Sequence, residues 1–254
     1  MSDSNLRAFR FQDDRSDKFW RIESAGTDFA VQWGRTGTIG KYQVKEFDST
    51  AECEGKVAGL VASKVKSGYQ PFPNFDPEQQ LYISDDEVGL HPLTSHPRFR
   101  KHFSADFYYD CVDEEAPFGS DEGSDALAEI EKRIRKNQAL DFESFPKELV
   151  ETTWGMVYLP AIRISRAEVE TIVGDNDGET NMILSDMVTY ATAFAQIKIT
   201  GNLDQALRER AFSSLRRMAI TADVLGWSTT GQPSEIQEIM IQDLSSYSPP
   251  VQVH

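Results

Sequence analysis

The spacing of apolar residues changes once along this chain of 254 residues, and that change constrains its fold more than any other feature. In the first 70 residues apolar side chains alternate with polar ones, as at Phe29, Val31 and Trp33, which is the pattern of half-buried antiparallel strands. Beyond about residue 98 they recur every three or four residues, which is typical of amphipathic helices. Five of the eleven prolines lie between the two parts, at positions 71, 73, 77, 92 and 97. We therefore predict a domain of residues 1–70, a proline-rich connector of residues 71–97 and a second domain of residues 98–254.

Each part also carries local signals of its predicted class. In the first part, Ser49 and Glu52 have the spacing of a capping box, so one helix is expected at about residues 50–66. In the second part, residues 181–197 are apolar on most sides, which predicts a central buried helix. Residues 120–245 should be mainly helical. The predicted fold class is α+β: a small antiparallel β-sheet with one helix, followed by a mainly α-helical acidic domain.

Acidic residues are distributed unevenly between the two parts. The chain has 41 Asp and Glu against 26 Lys and Arg, a net charge of −15, but residues 1–70 hold 11 basic and 10 acidic side chains. The densest acidic segment, residues 103–131, contains ten acids and no Lys or Arg; we call it the acid block. Such a surface repels phosphate backbones and attracts basic partners or cations, although it also serves solubility. Nonspecific nucleic-acid binding by the whole protein is therefore disfavoured, whereas a local site on the nearly neutral first domain is still allowed.

The remaining composition excludes several classes of protein. No run approaches the roughly 18 apolar residues that a membrane span needs. The first residues, MSDSNLRAFRF, lack the basic start and apolar stretch of a signal peptide. Two cysteines, Cys53 and Cys111, cannot build a disulfide framework or a four-cysteine zinc site. We therefore expect a cytoplasmic protein with reduced thiols and no membrane partner.

A short motif with regularly spaced glycines ends one of the alternating segments. It reads Trp33-Gly34-Arg35-Thr36-Gly37-Thr38 up to Gly40, and Lys45-Glu46-Phe47 and Ser67-Gly68-Tyr69 follow it. Together with the capped helix, this pattern resembles the WGR domain, which occurs in poly(ADP-ribose) polymerases and in many uncharacterised bacterial proteins. The resemblance covers about a quarter of the chain and implies a small twisted antiparallel sheet crossed by one helix. The rest of the chain shows no pattern resembling the transferase site of the polymerases.

The resemblance also implies a site. In the polymerases the domain binds DNA at strand breaks, so Trp33 and Arg35 would contact sugar and phosphate at a nucleic-acid end. An indole face can stack on a terminal base, and a guanidinium matches phosphate oxygens. Gly34 would let the backbone approach closely, and Lys41 and Lys45 complete the predicted nucleic-acid-binding set. The alternative is structural: Trp33 shares a strand face with core residues, and Arg35 could pin the following turn by bonding backbone carbonyls.

The acid block is the second candidate site. We predict that it docks a basic protein through the carboxylates of Asp113, Glu114, Glu115, Asp121 and Glu122. The same block supports an alternative interpretation of the whole chain. The protein could be an interaction protein of the antitoxin or immunity type. Its acidic surface would then sequester a basic protein, and it would have no nucleic-acid role. Binding of a cation by the block remains open.

The sequence presents no assembled catalytic set. Neither Cys53 nor Cys111 has a His close in sequence with which to form a nucleophilic pair. Glycines at every third position from Gly34 to Gly40 match neither a dinucleotide-binding fingerprint nor a Walker A loop. We therefore predict a non-enzymatic protein, with no catalytic residues, no metal ligands and no cofactor.

Overall fold

The alternating sequence forms one antiparallel sheet in the computed structural model, which describes residues 5–250. The strands are β1 (Asn5–Gln12), β2 (Asp17–Ala25), β3 (Asp28–Arg35), β4 (Lys41–Glu46) and the short β5 (Gln70–Pro71). Their order across the sheet is β4-β3-β2-β1-β5, and each neighbouring pair is antiparallel. The register sets Trp33 opposite Trp20 on β2 and opposite Lys41 on β4.

One face of the sheet is covered by the predicted helix, α1 (Thr50–Lys66). Ser49 caps it, because its hydroxyl accepts a hydrogen bond from the backbone N–H of Glu52. The buried side chains that the helix and the sheet share are Phe9, Trp20, Ile22, Phe29, Val31, Cys53 and Val57. The predicted sheet and its single helix are thus confirmed.

The other face of the sheet is built around a buried arginine. Arg21 is 2% exposed and donates hydrogen bonds to Gln32 (2.5 Å) and to the hydroxyls of Tyr42 and Tyr82 (3.0 Å each). Its guanidinium also lies 4.5 Å from the ring centroid of Tyr82. A buried cation is tolerated where its donors are bonded and aromatic faces surround it. Tyr82 therefore ties the segment after β5 to the sheet.

Further contacts extend this attachment along residues 72–97. The carboxylate of Asp85 accepts the backbone N–H of Val44 at 2.7 Å, and such hydrogen bonds lower its pKa against the opposing effect of burial. Leu93 packs with Val44 and Ala30. The segment that the sequence predicts to be a connector thus covers the second face of the sheet, and the first unit of the chain extends to Pro97.

The second unit begins at Arg98 and is mainly helical over its described residues, 98–250. Its helices, with α2 beginning one residue earlier, are α2 (Pro97–His102), α3 (Asp121–Arg135), α4 (Phe145–Glu148), α5 (Arg166–Gly174), α6 (Gly178–Thr200), α7 (Gln205–Val224) and α8 (Glu235–Ser246). A π-helical turn, Leu149–Thr153, follows α4. Most residues of α6 are buried, and α3, α4, α5 and α7 pack around it. The predicted central helix and the α+β class are confirmed.

Two ion pairs are buried within this helical unit. Arg217 on α7 donates to both carboxylate oxygens of Asp186 on α6 at 2.8 and 2.9 Å. Lys198, which is fully buried on α6, donates to Glu131 on α3 at 2.7 Å. Because a buried charge is costly without its partner, these pairs fix which helix faces meet.

Candidate functional site

The tripeptide Trp33-Gly34-Arg35 forms the last three residues of β3. Trp33 is partly buried and packs against the cluster between the sheet and α1. Its ring is therefore held in place by the core while part of it stays accessible. The packing agrees with the structural interpretation of Trp33, and nucleic-acid contact by the accessible part of its ring stays a prediction.

Gly34 is required by the chain's own turn. A Cβ added at Gly34 would lie 2.7 Å from the Cα of Gly40, and one added at Gly40 would lie 2.3 Å from the carbonyl oxygen of Trp33. Gly40 also has a φ of +69°, a conformation that favours glycine. The close backbone approach at Gly34 thus closes the β3–β4 turn.

The Arg35 side chain is exposed, and none of the residues from 5 to 250 pairs with its guanidinium. The turn is held instead by the Arg35 carbonyl, which accepts hydrogen bonds from the amide and the hydroxyl of Thr38 at 3.1 and 2.8 Å. The carboxylate of Asp17 is occupied by Arg10 at 2.6 Å and by the hydroxyl of Thr36 at 2.7 Å. These bonds, with a smaller contribution from Arg35, lower the pKa of Asp17 to about 2. Arg35 is consequently available to a ligand.

A cavity of about 840 Å³ opens beside the tripeptide, and we call it the WGR cavity. Its walls are residues 13–19, from the β1–β2 turn and the start of β2, together with Trp33, Gly34, Arg35 and Tyr69. Lys18 lies opposite Arg35 in the strand register and is exposed. Arg15 adds a third cation, whereas Asp13 and Asp14 place negative charge on the same turn.

Lys18, Arg15 and Tyr69 line the cavity although they are not among the residues that the sequence predicts for the site. Tyr69 is the last residue of the Ser67-Gly68-Tyr69 part of the motif. Its ring packs against that of Phe11 with a centroid distance of 5.6 Å. The ammonium group of Lys64 lies 5.1 Å from the Tyr69 ring centroid. Lys18 is placed beside Arg35 by the register of the β2–β3 hairpin, which turns at residues 26 and 27, and the sequence alone does not determine that register.

The other two predicted nucleic-acid-binding residues lie on β4, outside the lining of the WGR cavity. Lys41 is exposed and stands opposite Trp33 in the register, so it shares that face of the sheet. Lys45 stands opposite Phe29 and forms a 4.0 Å ion pair with Glu87. Lys41 is therefore the nearer of the two to the cavity.

The acidic candidate residues divide between a loop and a helix start. Asp113, Glu114 and Glu115 precede α3, while Asp121 and Glu122 occupy its first turn. Within residues 5–250, none of the five is paired with a Lys or Arg. Asp113 differs from the others because its carboxylate accepts the backbone N–H of Glu115 at 3.0 Å.

The end of the acid block is structural. Glu129 accepts hydrogen bonds from Lys132 at 2.5 Å and from Arg133 at 3.2 Å, and these bonds lower its pKa. Glu131 is buried and bonded to Lys198. The carboxylates open to a partner therefore lie before these two residues.

The described residues offer neither a metal site nor a membrane-spanning helix. Residues 5–250 contain no group of three or more His, Cys, Asp or Glu side chains arranged to hold a metal ion. No helix in the same range has the length and apolar character needed to cross a membrane.

Comparisons with known proteins identify the family of the chain. The family model of the WGR domain matches residues 6–76. The uncharacterised protein YfeS of Escherichia coli (strain K12) is 43% identical over 242 residues, which cover 95% of this chain and 98% of YfeS. Protein YehF of the same strain is 39% identical over 64 residues, 25% of this chain and 23% of YehF. A crystal structure of a Bacteroides fragilis protein is 28% identical and covers 50% of this chain and 39% of that one, but its TM-score of 0.27 carries no argument about the fold. The chain carries a WGR domain and belongs to the same family as YfeS.

Proposed function

We propose that the WGR domain binds nucleic-acid ends in the WGR cavity. The observation that supports this best is the exposed guanidinium of Arg35, which no described residue pairs with, beside the partly accessible ring of Trp33. A guanidinium can donate two parallel hydrogen bonds to the oxygens of one phosphate, and an aromatic face stacks on an exposed base or sugar. A terminal nucleotide offers both groups within one cavity.

The charges around the cavity favour binding of a nucleic-acid end over binding along a continuous duplex. Lys18 and Arg15 add to Arg35, but Asp13 and Asp14 on the same turn repel a continuous phosphate backbone. Two or three phosphate contacts are therefore expected. The logarithm of affinity should fall with the logarithm of salt concentration with a slope of roughly −2 to −3.

The test measures binding of the full-length chain to two DNAs that share one stem sequence. One is a hairpin with a blunt end, and the other is a dumbbell closed by loops at both ends. We expect tighter binding to the hairpin, and about tenfold weaker hairpin binding by Arg35→Gln, because a charge-assisted bond is lost. Lys56→Gln is the matched control: it makes the same charge change on an exposed position of α1 outside the cavity lining.

Two results would contradict the proposal. The hairpin and the dumbbell could bind equally well, in which case ends are not recognised. Alternatively, Arg35→Gln and Lys56→Gln could weaken binding by the same factor, which would indicate general charge attraction rather than a site.

We propose a second binding function for the helical unit: its acidic surface docks a basic protein. This proposal is supported by the five carboxylates that have no cationic partner among the described residues, in a unit with excess negative charge. Like-signed clusters accelerate encounter and make it sensitive to salt. A protein of the antitoxin or immunity type would dock a basic protein in this way and would not bind nucleic acid. Both proposals are binding functions without a catalytic step, and the first implies a cytoplasmic location.

A labelled Lys-rich peptide of twelve residues tests the docking proposal on the full chain. The double change Glu114→Gln and Glu115→Gln should slow association, whereas Asp175→Asn with Asp177→Asn, an equal charge change at exposed positions, should not. Equal effects of the two double variants would mean that only net charge matters.

A further inference from the structure

A second cavity, of about 330 Å³, lies within the helical unit, and we call it the α6–α7 cavity. Met187 and Tyr190 of α6, Met218 of α7 and Trp227 beyond it line the cavity, together with Glu114 and Glu115 of the acid block. Residues 219 and 222 of α7 and residues of the segment 228–237 supply the rest of the wall. Of the described residues that line it, none is a Lys or an Arg. The lining thus joins carboxylates to aromatic and thioether groups.

Tyr190 is the buried polar group of this lining. The residue is 3% exposed, no residue from 5 to 250 forms a hydrogen bond with its hydroxyl, and the hydroxyl oxygen is not among the enclosed polar atoms. The oxygen is therefore open to the cavity, where a water molecule or a ligand can bond it. Burial and the nearby carboxylates of Asp186, Glu122 and Glu115 raise the pKa of Tyr190, which leaves a neutral phenol in a negative environment. Its oxygen can accept a hydrogen bond from a cationic N–H group.

Trp227 supplies an exposed aromatic face on a hydrogen-bonded backbone. Its side chain is 64% exposed, whereas its backbone N–H is bonded to the carbonyl of Ala222 at 2.8 Å beyond the end of α7. Gly226, with a φ of +76°, makes this helix end possible. An exposed indole on a fixed backbone is the aromatic group that best attracts a cation.

We propose that the α6–α7 cavity receives one Lys or Arg side chain of a basic protein docked on the acidic surface. The alkyl stem would pack on Met187 and Met218, and the cationic head would meet Glu114, Glu115, the Trp227 ring and the Tyr190 oxygen. The inference rests on the second proposed function and identifies where the partner is anchored. Opposite charge and the mixed lining together argue for this occupant over a neutral one.

The experiment titrates the full chain with N-acetyl-lysine methylamide and follows the indole N–H signal of Trp227 by NMR. N-acetyl-norleucine methylamide is the matched neutral probe, because it keeps the stem and lacks the ammonium group. We expect saturable shifts with the lysine probe and at least about tenfold weaker binding of the norleucine probe. The double change Glu114→Gln and Glu115→Gln should weaken binding of the lysine probe by a similar factor. Tyr190→Phe should weaken that binding by about threefold or more. Asp175→Asn with Asp177→Asn should leave it unchanged.

The outcomes separate this inference from the docking proposal. Equal binding of the two probes, or shifts confined to residues outside the cavity, would overturn the cavity assignment even if the Lys-rich peptide still docks. Saturable, charge-dependent binding of the lysine probe would support the cavity even if the peptide fails to dock. In that case the docking proposal would fail alone.

Discussion

Truncation of Tyr82 tests whether residues 72–97 belong to the folded sheet unit. Tyr82 is fully buried, its ring lies under the Arg21 guanidinium, and its hydroxyl accepts one of the Arg21 hydrogen bonds. Replacing a buried aromatic residue by alanine costs about 3–5 kcal/mol. The lost partner of a buried guanidinium adds about 1 kcal/mol or more. Tyr82→Ala should therefore lower the free energy of unfolding of the first unit by about 4 kcal/mol or more.

The assay is urea unfolding of the full chain, read by tryptophan fluorescence. Trp20 and Trp33 lie in the first unit and Trp154 and Trp227 in the second, so a background with Trp154→Phe and Trp227→Phe reports the first unit alone. We expect the urea midpoint to fall by more than about 1 M for Tyr82→Ala.

Two neighbouring changes serve as controls for this measurement. Tyr82→Phe keeps the ring and should cost only about 1 kcal/mol. Leu81→Ala, at a position that is 41% exposed, should cost less than about 1 kcal/mol. If Tyr82→Ala and Leu81→Ala shift the midpoint equally, the segment is a linker and the packing argument is refuted.

Three further predictions concern single contacts. Asp186→Asn leaves the Arg217 guanidinium buried without its counter-charge and should cost about 3–5 kcal/mol, measured by thermal unfolding of the helical unit. Gly40→Ala forces a side chain into a left-handed conformation and against the β3–β4 turn, and it should cost at least about 1–2 kcal/mol in urea unfolding of the first unit. The pKa of Asp17 is lowered from 3.8 to about 2 by Arg10, so its contribution to stability is full above about pH 4 and is lost as the pH falls through 2. The free energies of unfolding of wild type and Asp17→Asn, measured as the pH is lowered, should therefore differ above about pH 2 and become equal below it.

The regular elements were predictable because their signals are local. Alternation marked the strands, and the cap at Ser49 marked the start of α1. The packing of residues 72–97 was not predictable, because this segment has no regular period and its anchor is a polar network around Arg21. A buried arginine looks like a surface residue in sequence, and only the tertiary structure brings Tyr42 and Tyr82 to it.

The candidate sites divide in the same way. The motif identified Trp33 and Arg35, because the tripeptide is contiguous. Lys18 and Tyr69 join the WGR cavity only through strand register and helix packing, which the sequence did not fix. The motif predicts that Gly34 lets a ligand approach the backbone, whereas the structure shows that the β3–β4 turn itself requires this glycine.

Amide chemical-shift mapping with the blunt hairpin tests the central claim most directly. The full chain is observed with increasing amounts of the DNA, and the closed dumbbell provides the comparison. We predict hairpin-specific shifts grouped around the WGR cavity, at residues 15–18, at 33–35 and at Tyr69, with none in the loop of residues 113–115. Shifts that are the same for both DNAs, or that avoid residues 33–35, would contradict end binding by the WGR cavity.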